Sequence, residues 1–385
     1  MGRFADALRA PGLSAIAEVK RRSPSAGDLR LDADPAVLAP AFARAGAAAI
    51  SVLVDERFGG TLADLRGARA ATDAPLLAKG FFSEELQLLQ ARLAGADAVL
   101  LLLRDVDDAR AAALKAYANE LGMDALVEAH DAEELDRAVR IGAQIIGVNA
   151  RNLDDFSVDR RAQLELVART PRDRIVVAES GVLSAAQGAA AELAGASAVL
   201  VGTALMRAAD PAAKLRELLR RPLVKVCGLT RQSDVDAAVE AGADLVGFIH
   251  AHESPRRTDA LLSAPDTVLR VSVFVGERDT TEADIVQFYG RDGDHRARDG
   301  RLLRGDEEVG TVVDLPWLDE DDTHLERARA TSGRVMLAGG LGPDNVRAAV
   351  DAVRPWAVDS ARSTEREPGI KDHEKVRAWV AAAKS

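Results

Sequence analysis

The chain has 385 residues, 48% apolar and 29% charged, with a formal net charge of −11; it predicts two globular domains and speaks against nucleic acid or an anionic membrane as partner. A single cysteine excludes an intrachain disulfide and fits a reducing compartment. Six histidines without a Cys/His cluster predict no metal site, and aromatics at 4% disfavour a base-stacking surface.

The opening MGRFADALRA lacks the apolar core of a signal peptide. The longest apolar runs, such as 98–103, are too short to span a bilayer, so a cytoplasmic protein is expected. Candidate strands follow at 14–20, 48–54, 75–81, 98–103, 125–130, 144–150, 174–180 and 198–204. Each is short and apolar, as strands buried on both faces should be. Helical periodicity fills the gaps, as in SEELQLLQARLAG (83–95) and DAEELDRAVRIG (131–142). Eight strands alternating with helices predict a (β/α)8 TIM barrel, of class α/β. No Gly-rich dinucleotide loop follows the first strand, which disfavours an open doubly wound sheet, and no cofactor is expected.

A helix at 210–221 closes this unit, and Pro222 marks the boundary, giving expected domains of 1–221 and 222–385. A second series begins at once, with candidate strands at 223–229, 244–250, 269–275, 283–290, 301–305, 310–315, 334–340 and 356–361. Barrels usually need ~200 residues or more, so this second, tandem barrel is expected to be shortened around strands 4–6. There the sequence RDGDHRARDGRLLRGDEE (291–308) is charged and turn-rich.

Polar residues punctuate the strand ends of the first half: Glu18 and Lys20, Lys79, Glu128, Asn149, then Glu179 and Ser180. In a barrel these tips converge on one mouth. Lysines and glutamates gathered there would shift one another's pKa values and supply a general acid, a general base and charge orienters. The turns at Ser180–Gly181 and Gly202–Thr203 follow strands 7 and 8, the usual phosphate site of such barrels.

The ordered motifs AEVKRRSPSAG (17–27), VLVDERFGG, LLAKGFF, LVEAH, GVNARNL, VAESGV and VGTALM resemble the indole-3-glycerol-phosphate synthase family over about residues 4–215. The resemblance implies closure of a pyrrole ring on a carboxyphenylamino-deoxyribulose phosphate, with loss of CO2 and water. It implies Lys79 as general acid at the substrate carbonyl and Glu128 as general base. Lys20, Glu18 and Asn149 would orient and stabilise charge, with Glu179 in the same cluster. Ser23 and Arg151 would meet the anthranilate carboxylate and ring, and Ser180, Gly181, Gly202 and Thr203 the phosphate. Two departures stand out: Gly80 replaces the family's aspartate after the lysine, and the family's N-terminal helical segment ahead of strand 1 has no counterpart in the motifs.

In the second half, LVKVCGLTR (223–231), ESPR (253–256), LAGGLGPDN (337–345) and PGIKD (368–372) resemble phosphoribosylanthranilate isomerase. Position alone leaves Cys227 open between a small buried hydrophobe and a catalytic group at a strand tip. The resemblance implies Cys227 as the base of an Amadori rearrangement and Asp314 as the acid. Lys225 or Arg256 would lower the thiol's pKa, and Arg256 would grip the anthranilate carboxylate. Gly339, Gly340, Arg362 and Ser363 would hold phosphate. The family's Gly-rich phosphate loop after Asp314 is replaced by an acidic stretch with Asp319, Glu320, Asp321 and Asp322, and its Gln-Leu-His-Gly by Gln-Phe-Tyr-Gly (287–290). Two readings stay open: a bifunctional synthase–isomerase fusion of tryptophan biosynthesis, or an active synthase fused to an inactive isomerase-like barrel. Phosphorylated small molecules are the expected substrates, and oligomeric state is not readable from the chain.

Overall fold

The computed structural model describes residues 2–23, 27–152, 155–290, 299–314 and 323–385. The chain divides into two compact units. One comprises residues up to Leu183 and Ala191–Leu219; the other takes in Arg220–Ser385 and Ser184–Ala190.

In the first unit eight parallel strands close a barrel: β1 (Ser14–Val19), β2 (Ala49–Leu53), β3 (Leu76–Lys79), β4 (Ala98–Leu102), β5 (Asp124–Ala129), β6 (Ile145–Asn149), β7 (Ile175–Glu179) and β8 (Ala198–Val201). Closure comes from β1, which pairs with both β2 and β8. Strand alternation then decides what each residue faces. Ala15, Ala17, Val127 and Ala178 pack outward under the helices. Ile16, Leu77, Leu126, Ile145, Val177 and Leu200 form a separate apolar plug inside the barrel. Two residues further along the same interior face stand Glu18, Lys79, Glu128, Gly147, Glu179 and Gly202. One parity therefore runs from an apolar floor to a charged mouth. The floor is sealed by the short helix Arg3–Leu8, whose Phe4, Ala5 and Leu8 are fully buried. Asp124 accepts hydrogen bonds from the backbone N–H groups of Gly2 and Ala5 there.

The second unit also closes an eight-stranded barrel: β9 (Leu223–Cys227), β10 (Leu245–Ile249), β11 (Leu269–Val275), β12 (Ile285–Tyr289), β13 (Gly300–Arg304), β14 (Glu307–Asp314), β15 (Val335–Ala338) and β16 (Ala357–Ser360). The expected shortening takes a specific form. β13 runs antiparallel to both β12 and β14 and joins β14 through the two-residue turn Gly305–Asp306. Antiparallel strands need only a tight turn, whereas parallel ones need a crossover. Among the described residues no helix follows β10 or β11. The acidic positions Asp319–Asp322 lie outside the described residues.

Candidate active sites

At the mouth of the first barrel one ammonium gathers three carboxylates. Lys79 Nζ lies 2.6 Å from Glu179 Oε2, 3.4 Å from Glu18 Oε2 and 3.9 Å from Glu128 Oε2. Glu18 is also paired with Lys20 at 2.6 Å. Asn149 Nδ2 donates to Glu128 Oε1 over 2.9 Å, and His130 Nε2 lies 3.0 Å from the same oxygen. All three carboxylates are at most 2% exposed. The space they occupy is left by glycines: a Cβ on Gly147 would sit 2.2 Å from Glu179 Oε1, and one on Gly202 2.4 Å from Glu18 Oε1. Gly80 has a packing reason as well, since a Cβ there would meet Val54 Cγ2 at 2.9 Å.

These charges shift one another. Burial raises the carboxyl of Glu179 and the nearby Glu128 raises it further, to about 8 despite its Lys79 partner. Glu128 goes the other way, to about 2, because His130, Lys79 and Asn149 outweigh the burial that opposes ionisation. Glu18 is held low against its burial by Lys20 and Lys79. Burial opposes the charge of Lys79, yet Glu179, Glu18 and Glu128 together hold it well above the ordinary lysine range. Glu128 and Glu179 thus form a pair of carboxyls pushed apart, the pattern that separates acid and base roles in one site.

The rim residues surround this cluster. Arg151 follows β6, its N–H donating to Asn149 Oδ1 at 3.0 Å; burial pulls its guanidinium down and Glu18 opposes that. Ser23 sits opposite Gly27 in a two-stranded ladder just past β1. Ser180 and Gly181, at the tip of β7, both adopt left-handed backbone with φ of 68° and 74°. Gly202 precedes the short helix Thr203–Arg207 at the tip of β8.

The second barrel encloses a cavity of about 430 Å³ lined by Cys227, Arg256, Asp314, Gly339, Gly340, Arg362 and Ser363 among others. All seven residues singled out in this half therefore meet in one place. Lys225 is fully buried beneath it and directs its Nζ to Cys227 Sγ at 3.2 Å, Gln287 Oε1 at 2.5 Å and Asp359 Oδ2 at 3.1 Å. With its carbonyl facing Lys225, the Gln287 amide donates to Tyr289 Oη over 2.7 Å. The tyrosine hydroxyl donates in turn to Asp314 Oδ2 over 3.1 Å. One hydrogen-bonded chain thus runs from Cys227 to Asp314.

Two expectations are corrected here. The Cys227 thiol is raised, not lowered: burial and the Asp359 carboxylate outweigh Lys225. Arg256 does not serve the thiol; its Nε and Nη2 form a fork on Glu365 at 2.7–3.0 Å, so that edge is already engaged. Lys371 pairs with the same carboxylate at 3.1 Å.

Comparison with known proteins fits this geometry. The family model for indole-3-glycerol phosphate synthase matches residues 2–218. The chain belongs to the indole-3-glycerol phosphate synthase family. A synthase from Nocardioides sp. is 50% identical over 55% of this chain and 82% of its own length. The model for N-(5′-phosphoribosyl)anthranilate isomerase matches residues 310–382. A multifunctional tryptophan biosynthesis protein of Schizosaccharomyces pombe is 33% identical over 99% of this chain, which spans 61% of that protein. The solved phosphoribosylanthranilate isomerase of Thermotoga maritima aligns with 27% identity, 43% of this chain and 99% of its own, at a TM-score of 0.31.

Within the synthase barrel, sequence reasoning missed His130. It closes the LVEAH motif two residues past Glu128, and that spacing is the signal that places both at the same mouth. In the second barrel it missed Gln287, Tyr289 and Asp359 as members of the polar chain; each shares the interior parity of its strand. Among the described residues no group of His, Cys, Asp or Glu is arranged to hold a metal ion, and no helix is long and apolar enough to cross a membrane.

Proposed function

We propose that the chain is bifunctional, acting on two consecutive phosphorylated intermediates of tryptophan biosynthesis. The second barrel isomerises N-(5-phosphoribosyl)anthranilate to 1-(2-carboxyphenylamino)-1-deoxyribulose 5-phosphate. The synthase barrel converts that product to indole-3-glycerol phosphate. The observation that carries the reading is the Lys79 cluster, with an ammonium kept charged among three buried glutamates at a barrel mouth, two of them held ionised and Glu179 raised. As the ring carbon bearing the carboxylate attacks the substrate carbonyl, negative charge grows on the carbonyl oxygen. Lys79 stabilises that charge and supplies the proton. CO2 leaves as the ring regains aromaticity, and Glu128 takes a proton as water is lost. Lys20, Glu18, Asn149 and Glu179 hold the charged groups in place. Ser23 and Arg151 meet the anthranilate end, and Ser180, Gly181, Gly202 and Thr203 meet the phosphate.

In the second barrel Cys227 removes the C2 proton and Asp314 protonates the ring oxygen, opening the sugar ring. Gly339, Gly340, Arg362 and Ser363 face the phosphate, and Arg256 the carboxylate. A second reading, an inactive isomerase-like barrel, is favoured by the raised Cys227 thiol and by the Glu365 fork on Arg256. Freshly made phosphoribosylanthranilate separates the two. Loss of its fluorescence together with gain of indole absorbance is expected. If that substrate persists while directly supplied carboxyphenylamino-deoxyribulose phosphate still yields indole product, the second reading holds. If neither substrate turns over, the proposal falls.

A further inference from the structure

His130 lies outside the roles assigned so far, yet it is held from both sides. Glu134 Oε2 accepts from the His130 backbone N–H and faces ring Nδ1, each at 2.9 Å. Glu134 is itself anchored in the first turn of the helix Ala132–Arg140, where its N–H donates to the capping carboxylate of Asp131. The other ring nitrogen, Nε2, lies 3.0 Å from Glu128 Oε1. An imidazole flanked by two carboxylates needs a proton on each nitrogen, because a lone pair facing either one would be repulsive. The ring is therefore an imidazolium, and Glu134 and Glu128 push its pKa up to about 10 against the burial that opposes it.

The two oxygens of Glu128 consequently differ. Oε1 accepts a hydrogen bond from Asn149 Nδ2 and lies 3.0 Å from His130 Nε2, an ion-pair contact without hydrogen-bond alignment. Oε2 is buried without a hydrogen bond, and its nearest cation is Lys79 Nζ at 3.9 Å. The titratable groups facing Glu128 are His130 just past the end of its own strand, Lys79 from β3 and Glu179 from β7; Glu18 of β1 lies beyond Lys79, and β6 contributes the neutral Asn149.

We propose that His130, clamped by Glu134, is a positioning residue whose charge holds Oε1 of Glu128 and keeps the carboxylate ionised, leaving Oε2 to exchange the proton in the synthase reaction. The inference rests on the reading of Glu128 as that reaction's base. It is tested by the pH profile of kcat/KM for conversion of carboxyphenylamino-deoxyribulose phosphate to indole product, using the full chain, H130N and E134Q. Asparagine keeps the backbone N–H that Glu134 accepts, so the helix start is preserved. Removing an opposite charge beside a carboxylate raises its pKa by about 1–3 units. The acid limb of H130N is therefore expected to move up by about that amount from the parent's position near 2, with the rate loss much larger at pH ~4 than at pH ~8. E134Q is expected to move it the same way by less, and it decides the matter should H130N fail to fold. A limb that coincides with the parent's, whatever the loss in rate, makes His130 a packing residue and overturns the proposal. A parent chain that forms no indole product overturns the synthase reading and this inference with it, an outcome distinct from an active parent with an unmoved limb.

Discussion

Two hydrogens, those on the Cα atoms of Gly147 and Gly202, mark where the synthase site was given room. A methyl group on Gly147 would lie 2.2 Å from Glu179 Oε1, closer than any packing allows. Gly147→Ala must therefore displace Glu179 and remove the 2.6 Å partner of Lys79. Misplacing such a group by ~1 Å is worth about 100-fold in rate. We expect Gly147→Ala to reduce synthase turnover by about that factor while isomerase turnover stays within about twofold; equal losses in both assays would point to general unfolding instead. The Glu128–His130 pair makes stability depend on pH in both directions. His130 rises from 6.5 to about 10, so its contribution is complete below pH 6.5 and is lost as pH climbs through about 10. Glu128 drops from 4.5 to about 2, so its contribution is complete above pH 4.5 and is lost as pH falls toward 2. The difference in melting temperature between the parent and H130N should thus peak between pH ~5 and ~6.5 and shrink steadily from there toward pH ~10. A difference that stays constant from pH ~5 to ~10 contradicts an ionic pair.

At the scale of strands, most of the site was legible because parity is legible. Runs such as SAIAEVK and RIVVAES alternate so that the charged tip shares a face with the interior hydrophobes. Placing Glu18, Lys79, Glu128 and Glu179 together required no more than that and closure of the barrel. What parity does not reveal is who partners whom. Arg256 reads as a free fork in ESPR, and only the fold brings Glu365 to it from 109 residues away. Lys225 reads as a neighbour that acidifies Cys227, but burial and Asp359 on the adjacent strand reverse the sign. The reversed direction of β13 was equally hidden, since a five-residue strand looks the same either way round. The raised thiol carries its own prediction. If Cys227 is the isomerase base, isomerase kcat/KM should climb with pH through the ordinary thiol range near 9.0 and beyond, as thiolate forms. A profile already flat from pH ~6 would mean that bound substrate, not the free site, sets the thiol's ionisation.

For the whole molecule, the two sites draw their residues from separate units: Glu18 to Thr203 from one, Cys227 to Ser363 from the other. Their chemistries should then be separable by single substitutions. Cys227→Ala is expected to abolish isomerisation and leave conversion of directly supplied aminoketose phosphate within about twofold. Lys79→Met is expected to do the reverse, losing about 100-fold or more in synthase rate. Either variant silencing both assays would show that the units do not act independently.

The reversed strand of the second barrel has a consequence for how the chain reaches its fold. Parallel pairing waits for distant segments to meet, and closing long loops slows folding. The pairing of β13 with β14 spans only Gly300–Val312 across a two-residue turn. It is a ready-made local nucleus within an otherwise non-local sheet, forming on the microsecond timescale of hairpins. Asp314, the proposed acid, lies on the same strand two residues beyond the end of that ladder, so the segment that carries it is among the first able to acquire native pairing.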